Sequence, residues 1–410
     1  MNDNTTKTLA IGAVLLALGM GVVFVLQEKR NNQPIAQTPP WNQPWQPNGP
    51  EPWQEPPVEP PQDFTLDQAV ASIDEAELKK DLEYLASQEL EGRMTGKRGN
   101  VIAADFIKKK FESYGLQTMY HKFTSRDIGR QIQGVNPGPQ REQGDDFSQN
   151  IYAWIEGTDP DVKDEVIVIG AHMDHIGYGP SMSRSRQIAV HPGADDNASG
   201  TVALLQIAKA FSKMKDKCRR TIVFQAYSAE EMGLHGSRFY CNNPVFPRSR
   251  PDIKKHVFML NLDMVGFLGK GQYFAGFYAG ESSVDVSRII NQLNGKYNFA
   301  RQITSRGSGG SDHASFYNKK IPVAFLHTGG HPYYHTPQDT PDRINYDGIE
   351  RVAKYAFELS YQIQLEDASP RFNYATFQEM DYTHDHGHPE TPFLHPWHRH
   401  DPDHPAHSHE

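Results

Sequence analysis

Five short stretches concentrate side chains that hold metals or move protons. They are His172-Met-Asp174-His175, the turn Pro192–Gly200 with Asp195 beside Asp196, Ser228-Ala-Glu230-Glu231, Asn261-Leu-Asp263, and His331–Pro337 with Tyr334 and His335. Each alone is weak. An isolated His-x-Asp or Glu-Glu is usually a solvated loop, and Asp196 or Asn197 by itself is a good helix cap. Together they make a mixed nitrogen and oxygen donor set, which zinc accepts, with cobalt or manganese as alternatives. Three ligating carboxylates with one bound hydroxide carry about −4, which balances two divalent ions. A single ion would leave an uncompensated acidic cluster with its pKa values forced upward. Neighbouring side chains on an extended backbone point apart, so of Glu230 and Glu231 one can bind metal while the other serves as general base. His172 and Asp174 differ by two and share a face, which suits Asp174 as the carboxylate orienting the His172 ring.

The elements that must position these groups follow from the hydrophobic pattern. Continuous apolar runs of strand length occur at Glu165–Ala171, Thr221–Tyr227, His256–Leu262 and Ile321–His327. Helical patterns intervene at Thr201–Phe211, Leu234–Tyr240 and Ser282–Leu293, and Tyr346–Leu365 closes the series. Strands separated by helices need crossover connections, so the fold class is α/β: a three-layer sandwich with a mostly parallel sheet covered on both faces. Ligands of such sheets bind beyond the carboxyl ends of the strands, and the reactive clusters all follow strands. Upstream, Ser72-Ile-Asp-Glu75 reads as a capping box and Val101–Tyr114 as an amphipathic helix stopped by Gly115. Gly92–Gly99 reads as a loop, and Thr124–Gln149 as an irregular surface insertion.

The chain resembles metallopeptidase family twenty-eight, the di-zinc exopeptidases that include secreted leucyl-type aminopeptidases of bacteria. The likeness spans most of Leu82–Leu365. It rests on YLASQELEGRMTGKRGN, GAHMDHIG, PGADDNASG, SAEEMG, NLDMVG, SDHASF and YHTPQDT, in that order. The resemblance implies a fold of the zinc-peptidase (phosphorylase/hydrolase-like) type and two zinc ions. One would be held by His172, Asp195 and Asp263, the other by Asp195, Glu231 and His335, with Asp195 bridging. Glu230 would be the base, and Tyr334 would help polarise the scissile carbonyl. Asp174 and Asp196 would stand behind the ligands, with a strained link, cis or trans, between Asp195 and Asp196. The implied reaction is hydrolysis of the first peptide bond of a peptide or protein by a metal-bridging hydroxide. Alternatives on the same fold are a glutaminyl cyclase and a carboxypeptidase. Outside enzymes they are an inactive receptor or scaffold and a metal-handling protein. No stretch is long enough for an inserted protease-associated domain. The loop Tyr178–His191, carrying Arg184 and Arg186, would line the entrance, its charges solvated or selecting acidic substrates.

The 410 residues divide into a short N-terminal segment 1–8, an anchor 9–26, a Pro/Gln/Trp-rich linker 27–64, a catalytic domain 65–366 and a His-rich tail 367–410. Leu9–Leu26 is uncharged and apolar or small, and as a helix it would rise ~27 Å, enough to cross a bilayer core. No small-x-small cleavage pattern follows it, so an uncleaved anchor with an extracytoplasmic domain is expected. The prolines of the linker favour an extended spacer. The tail holds nine of the nineteen histidines and too little apolar content to fold, and it either buffers metal or is simply solvated. A net charge of −9 without a basic patch excludes nucleic acid as a partner. Cys218 and Cys241 are too few for a disulfide scaffold. They either bridge or remain buried thiols. Nothing in the sequence sets the oligomeric state.

Overall fold

A computed structural model describes residues 63–129, 147–180, 182–269, 274–277, 282–297, 299–303 and 310–379. The expected anchor, residues 27–62 of the linker, residues 130–146 of the insertion and residues 380–410 of the tail lie outside them. No helix among the described residues is long and apolar enough to cross a membrane.

Strands β1 (Gln117–Thr124), β2 (Phe147–Ile155), β3 (Val166–His172), β4 (Thr221–Tyr227), β5 (His256–Leu262), β6 (Phe274–Phe277), β7 (Ala300–Ile303) and β8 (Val323–His327) form one sheet in the order β1-β2-β4-β3-β5-β8-β6-β7. The pairs β4/β3, β3/β5 and β5/β8 are parallel. The pair β6/β7 is parallel too, whereas β1/β2, β2/β4 and β6/β8 are antiparallel, so the sheet is mixed, with a parallel centre and antiparallel pairings towards both flanks.

Helices α1 (Leu66–Ala71), α2 (Glu75–Leu85), α3 (Arg98–Ser113), α4 (Ser125–Ile128), α5 (Gly200–Ser212), α6 (His235–Asn242), α7 (Val284–Tyr297), α8 (His313–Tyr317) and α9 (Tyr346–Leu365) complete the elements. The strand period of two splits the core into two layers. Ile167, Ile169 and Ala171 of β3 pack with α2, α3, α5 and α9, whereas Val166 and Val168 pack on the other face with residues of α6 and α8. Cys218 lies in the first core and Cys241 in the second; both are free thiols, so the sheet separates them and they do not bridge.

Two caps depart from the sequence reading. Helix α2 starts from Asp74, whose carboxylate accepts the Glu77 N–H at 2.7 Å, so Ser72 is not its cap. The capping box belongs to α1, where Thr65 and Gln68 satisfy each other's backbone. The stretch expected to be irregular contains α4 and the start of β2.

Candidate metal centre

The parallel strands deliver their chemistry at one end. His172 is the last residue of β3, Asp263 the first beyond β5, and Glu230 and Glu231 follow β4 in a tight turn. Ala229 and Leu234 in that turn have left-handed backbones, with φ of 59° and 57°. The turn is fastened by a carboxylate: Asp174 accepts the Glu230 N–H at 3.2 Å and the Thr95 hydroxyl at 2.9 Å, while Thr95 Oγ1 accepts the Ala229 N–H.

The ligating atoms fall into two buried groups, each with its atoms within 4.8 Å of one another. One is His172, Glu230 and Asp263; the other is His175, Asp196, Glu231 and His335. Asp196 joins them. Its Oδ1 lies 3.4 Å from His172 Nε2, and its Oδ2 lies 3.1 Å from His335 Nε2. His172 Nε2 is also 3.2 Å from Asp263, and His335 Nε2 is 3.1 Å from Glu231.

The bridging position is therefore occupied by Asp196, a one-residue correction to Asp195. The Asp195 carboxylate turns away. It accepts the Gly266 N–H at 2.6 Å and the Ser199 hydroxyl at 3.0 Å, and it lies 3.1 Å from His331 Nε2. The cis peptide is one residue later too, at Asp196–Asn197. Gly193 begins this turn with φ of 58°, and a Cβ there would meet the Asp196 carbonyl at 2.2 Å and the His175 ring at 2.6 Å. Only glycine fits. Asp174 also departs from its expected part. The His172 Nδ1 contacts the Asp174 main-chain oxygen at 3.2 Å, and the Asp174 carboxylate stands 3.8 Å off.

Three residues without an expected role complete the centre. His175 Nδ1 contacts Glu231 Oε1 at 2.8 Å. Asp339 accepts the main-chain N–H groups of both Asp195 and Asp196 and so holds the turn. Arg93 is buried and donates to the carbonyls of Leu85, Met173, Pro192 and Gly193. Burial lowers its pKa to about 10, against Asp196 and Asp339, so it stays charged at neutral pH. His175, Asp339 and Arg93 stand inside HMDH, HTPQDT and EGRMTG, and their presence in those stretches was the available signal.

So many carboxylates demand positive charge. Burial and then Glu231 push the Glu230 carboxyl well above its usual range, although His172 opposes the shift. Burial would depress the His335 imidazole, yet Glu231 and Asp196 outweigh it and hold it up to about 10. Divalent cations meet that demand and replace the imidazole protons, and the mixed imidazole and carboxylate set fits zinc. Tyr334 stacks on the His335 ring at 3.9 Å. Burial, then Asp196 and Glu231, keep its hydroxyl protonated well above the ordinary tyrosine range.

The model of peptidase family M28 matches residues 150–360, just over half of the chain, including the central parallel strands β3, β4, β5 and β8. The chain belongs to peptidase family M28. It is 29% identical over 231 residues to a probable leucine aminopeptidase of Trichophyton verrucosum, covering 54% of this chain and 58% of the relative. It is 31% identical over 233 residues to leucine aminopeptidase 1 of Blastomyces gilchristii, covering 52% and 56%. The M28 chain thus spans under three fifths of the length of these curated relatives. Among solved structures, the LapA aminopeptidase of Legionella pneumophila aligns with a TM-score of 0.55 at 24% identity, over 74% of this chain and 75% of that one. A zinc aminopeptidase from Bacillus subtilis aligns with a TM-score of 0.56 at 17% identity, over 73% and 98%. These likenesses carry the fold.

Proposed function

We propose that the chain is a zinc-dependent aminopeptidase, hydrolysing the peptide bond after the first residue of a peptide or protein. The observation that carries this reading is the pair of buried ligand groups joined by Asp196. In the proposed centre His172, Asp196 and Asp263 hold one zinc, and Asp196, Glu231 and His335 hold the other. His175 braces Glu231. Zinc at such a centre supplies Lewis acidity, polarising a carbonyl and acidifying water. The Glu230 carboxylate takes the proton from the attacking water and returns it to the departing amine. The Tyr334 hydroxyl, kept protonated by its surroundings, donates to the scissile carbonyl oxygen. The carboxylates around the centre are the counterpart of the substrate's free ammonium group.

The test uses aminoacyl amides and p-nitroanilides with the amine free or acetylated, together with zinc analysis of the purified chain. Two zincs per chain, with hydrolysis that acetylation abolishes, are expected. Hydrolysis that survives acetylation, or release of residues from the carboxyl end only, would sink the aminopeptidase reading. Cyclisation of amino-terminal glutamine in place of hydrolysis would sink it as well.

The same proposal holds that residues 9–26 anchor the chain in a membrane, with the catalytic domain on the extracytoplasmic side. Its support is the uncharged apolar run and its length. Extraction of the full chain by alkaline carbonate, or its sensitivity to protease only after the cytoplasmic side is opened, would refute that placement.

A further inference from the structure

The loop that follows His175 and ends at His191 is fastened to the centre. The His335 carbonyl accepts the Arg184 N–H at 3.0 Å, and the Ser183 hydroxyl lies 2.7 Å from His191 Nε2. Arg184 is therefore held beside His335 by its backbone. Its guanidinium carbon lies 4.5 Å from the centroid of the Tyr334 ring, and that ring stacks on His335 at 3.9 Å. Guanidinium, phenol and imidazole form consecutive contacts leading from the rim to the centre. Stacking on an aromatic face fixes the plane of an arginine while leaving its N–H fork directed outward. The residue is exposed, and among the described residues its side chain meets the Tyr334 ring but no carboxylate. Lysines and arginines on surface loops are usually solvated and contribute little. Here the main chain bonds to the carbonyl of a proposed ligand, and the guanidinium is one ring away from that ligand.

We propose that Arg184 is a specificity-determining residue that receives a substrate carboxylate close to the scissile bond, so that carboxylate-bearing peptides are preferred over their amides. The inference rests on the aminopeptidase reading and names what that site selects. The carboxylate comes either from an acidic side chain of the first two residues or from the free carboxyl terminus of a dipeptide. A planar fork accepts either in a bidentate manner.

The experiment measures kcat/KM of the zinc-loaded full chain on matched pairs: Glu-Ala-amide with Gln-Ala-amide, Leu-Glu-amide with Leu-Gln-amide, and Leu-Gly with Leu-Gly-amide. The expected result is a preference of roughly tenfold for the charged member of at least one pair, the size of one well-placed charged contact. The pair that responds identifies the source of the carboxylate. Arg184→Gln should bring that ratio to about one, and Arg184→Lys should restore part of it. Arg343→Gln is the control, because Arg343 lies over the neighbouring Tyr333 ring at 3.9 Å; it should leave the ratio unchanged. Absence of preference in every pair, or a preference that survives Arg184→Gln, overturns the proposal. Titration calorimetry of the same pairs on the Glu230→Gln chain reads the same ratio as affinity when turnover is absent. Failure of the aminopeptidase reading is thereby separated from failure of this one.

Discussion

The two ligand groups are held by different kinds of structure. His172 and Asp263 sit at the ends of β3 and β5, which are ladder-paired to each other and to further strands on either side, so sheet register places them. Asp196 and His335 lie on loops. The Asp196 loop depends on Asp339 under the Asp195–Asp196 backbone and on the Arg93 bonds to Pro192 and Gly193. Hydrogen bonds from strand to strand are many and cooperative, whereas a loop held by a few side chains can be loosened by one substitution. Remote variants under the Asp196 loop should therefore weaken both sites through the shared carboxylate, though less than a change at that carboxylate itself.

The largest effect is expected from Asp196→Asn, which weakens the residue common to both groups. Turnover should fall by about a thousandfold or more, with fewer than two zincs retained. Asp195→Asn should cost about tenfold and keep both, since the Asp195 carboxylate accepts from the Gly266 N–H and the Ser199 hydroxyl rather than facing the imidazoles of the two groups. Steady-state kinetics with metal analysis of the two variants compares them directly, and a reversed order would restore Asp195 as the bridge.

Next in size is Glu230→Gln, which should keep zinc and lower kcat by about 10²- to 10⁴-fold. Loss of one zinc from this variant would instead make Glu230 a ligand of the strand-borne group. Asp339→Asn should then loosen the shared carboxylate without removing it. Because Asp339 holds the Asp196 backbone, both zincs should dissociate about ten- to a hundredfold more readily, as read by chelator competition. Unchanged affinity for both ions would break the distinction between strand-held and loop-held ligands.

The smallest effect lies away from the centre. Glu77 bridges Lys110 and Lys209; burial raises its pKa, but hydrogen bonds from those lysines outweigh it and bring the value from 4.5 to about 2. A depressed carboxylate contributes stability above its unfolded pKa, and that contribution is lost as the pH falls from about 4.5 towards about 2. After allowance for solvent screening, Glu77→Gln should cost about 1 kcal/mol at neutral pH and nothing measurable near pH 2, by thermal melts at both pH values.

The centre of the sheet was legible because burial on both faces turns a strand into an uninterrupted apolar run. The limits of β4, β5 and α9 agree with the sequence pattern to the residue. The flanks were not legible. Strand β1 is half exposed along most of its length, and β6 and β7 have four residues each, too short for a period. At the site, residue types identified the clusters but not the register within Asp195-Asp196. Both are aspartates, and which one faces the imidazoles is decided by the backbone of Ala194–Ser199, where Asp196 and Asn197 leave helical geometry. His175 and Asp339 were visible in their motifs without any local pattern to reveal their partners across 56 and 143 residues.

The reach of Arg93 bears on where the catalytic unit begins. Its guanidinium cements a helix end at Leu85 to the segment just before the bridging aspartate, yet both lie on opposite sides of the start of the region that defines the family. A fragment trimmed to 150–360 would strip the carbonyls of Met173, Pro192 and Gly193 of their donor and lose a buried guanidinium that faces the charges of Asp196 and Asp339. Expressed alone, that fragment should be insoluble or metal-free, whereas one opening at the Thr65 cap keeps its keystone.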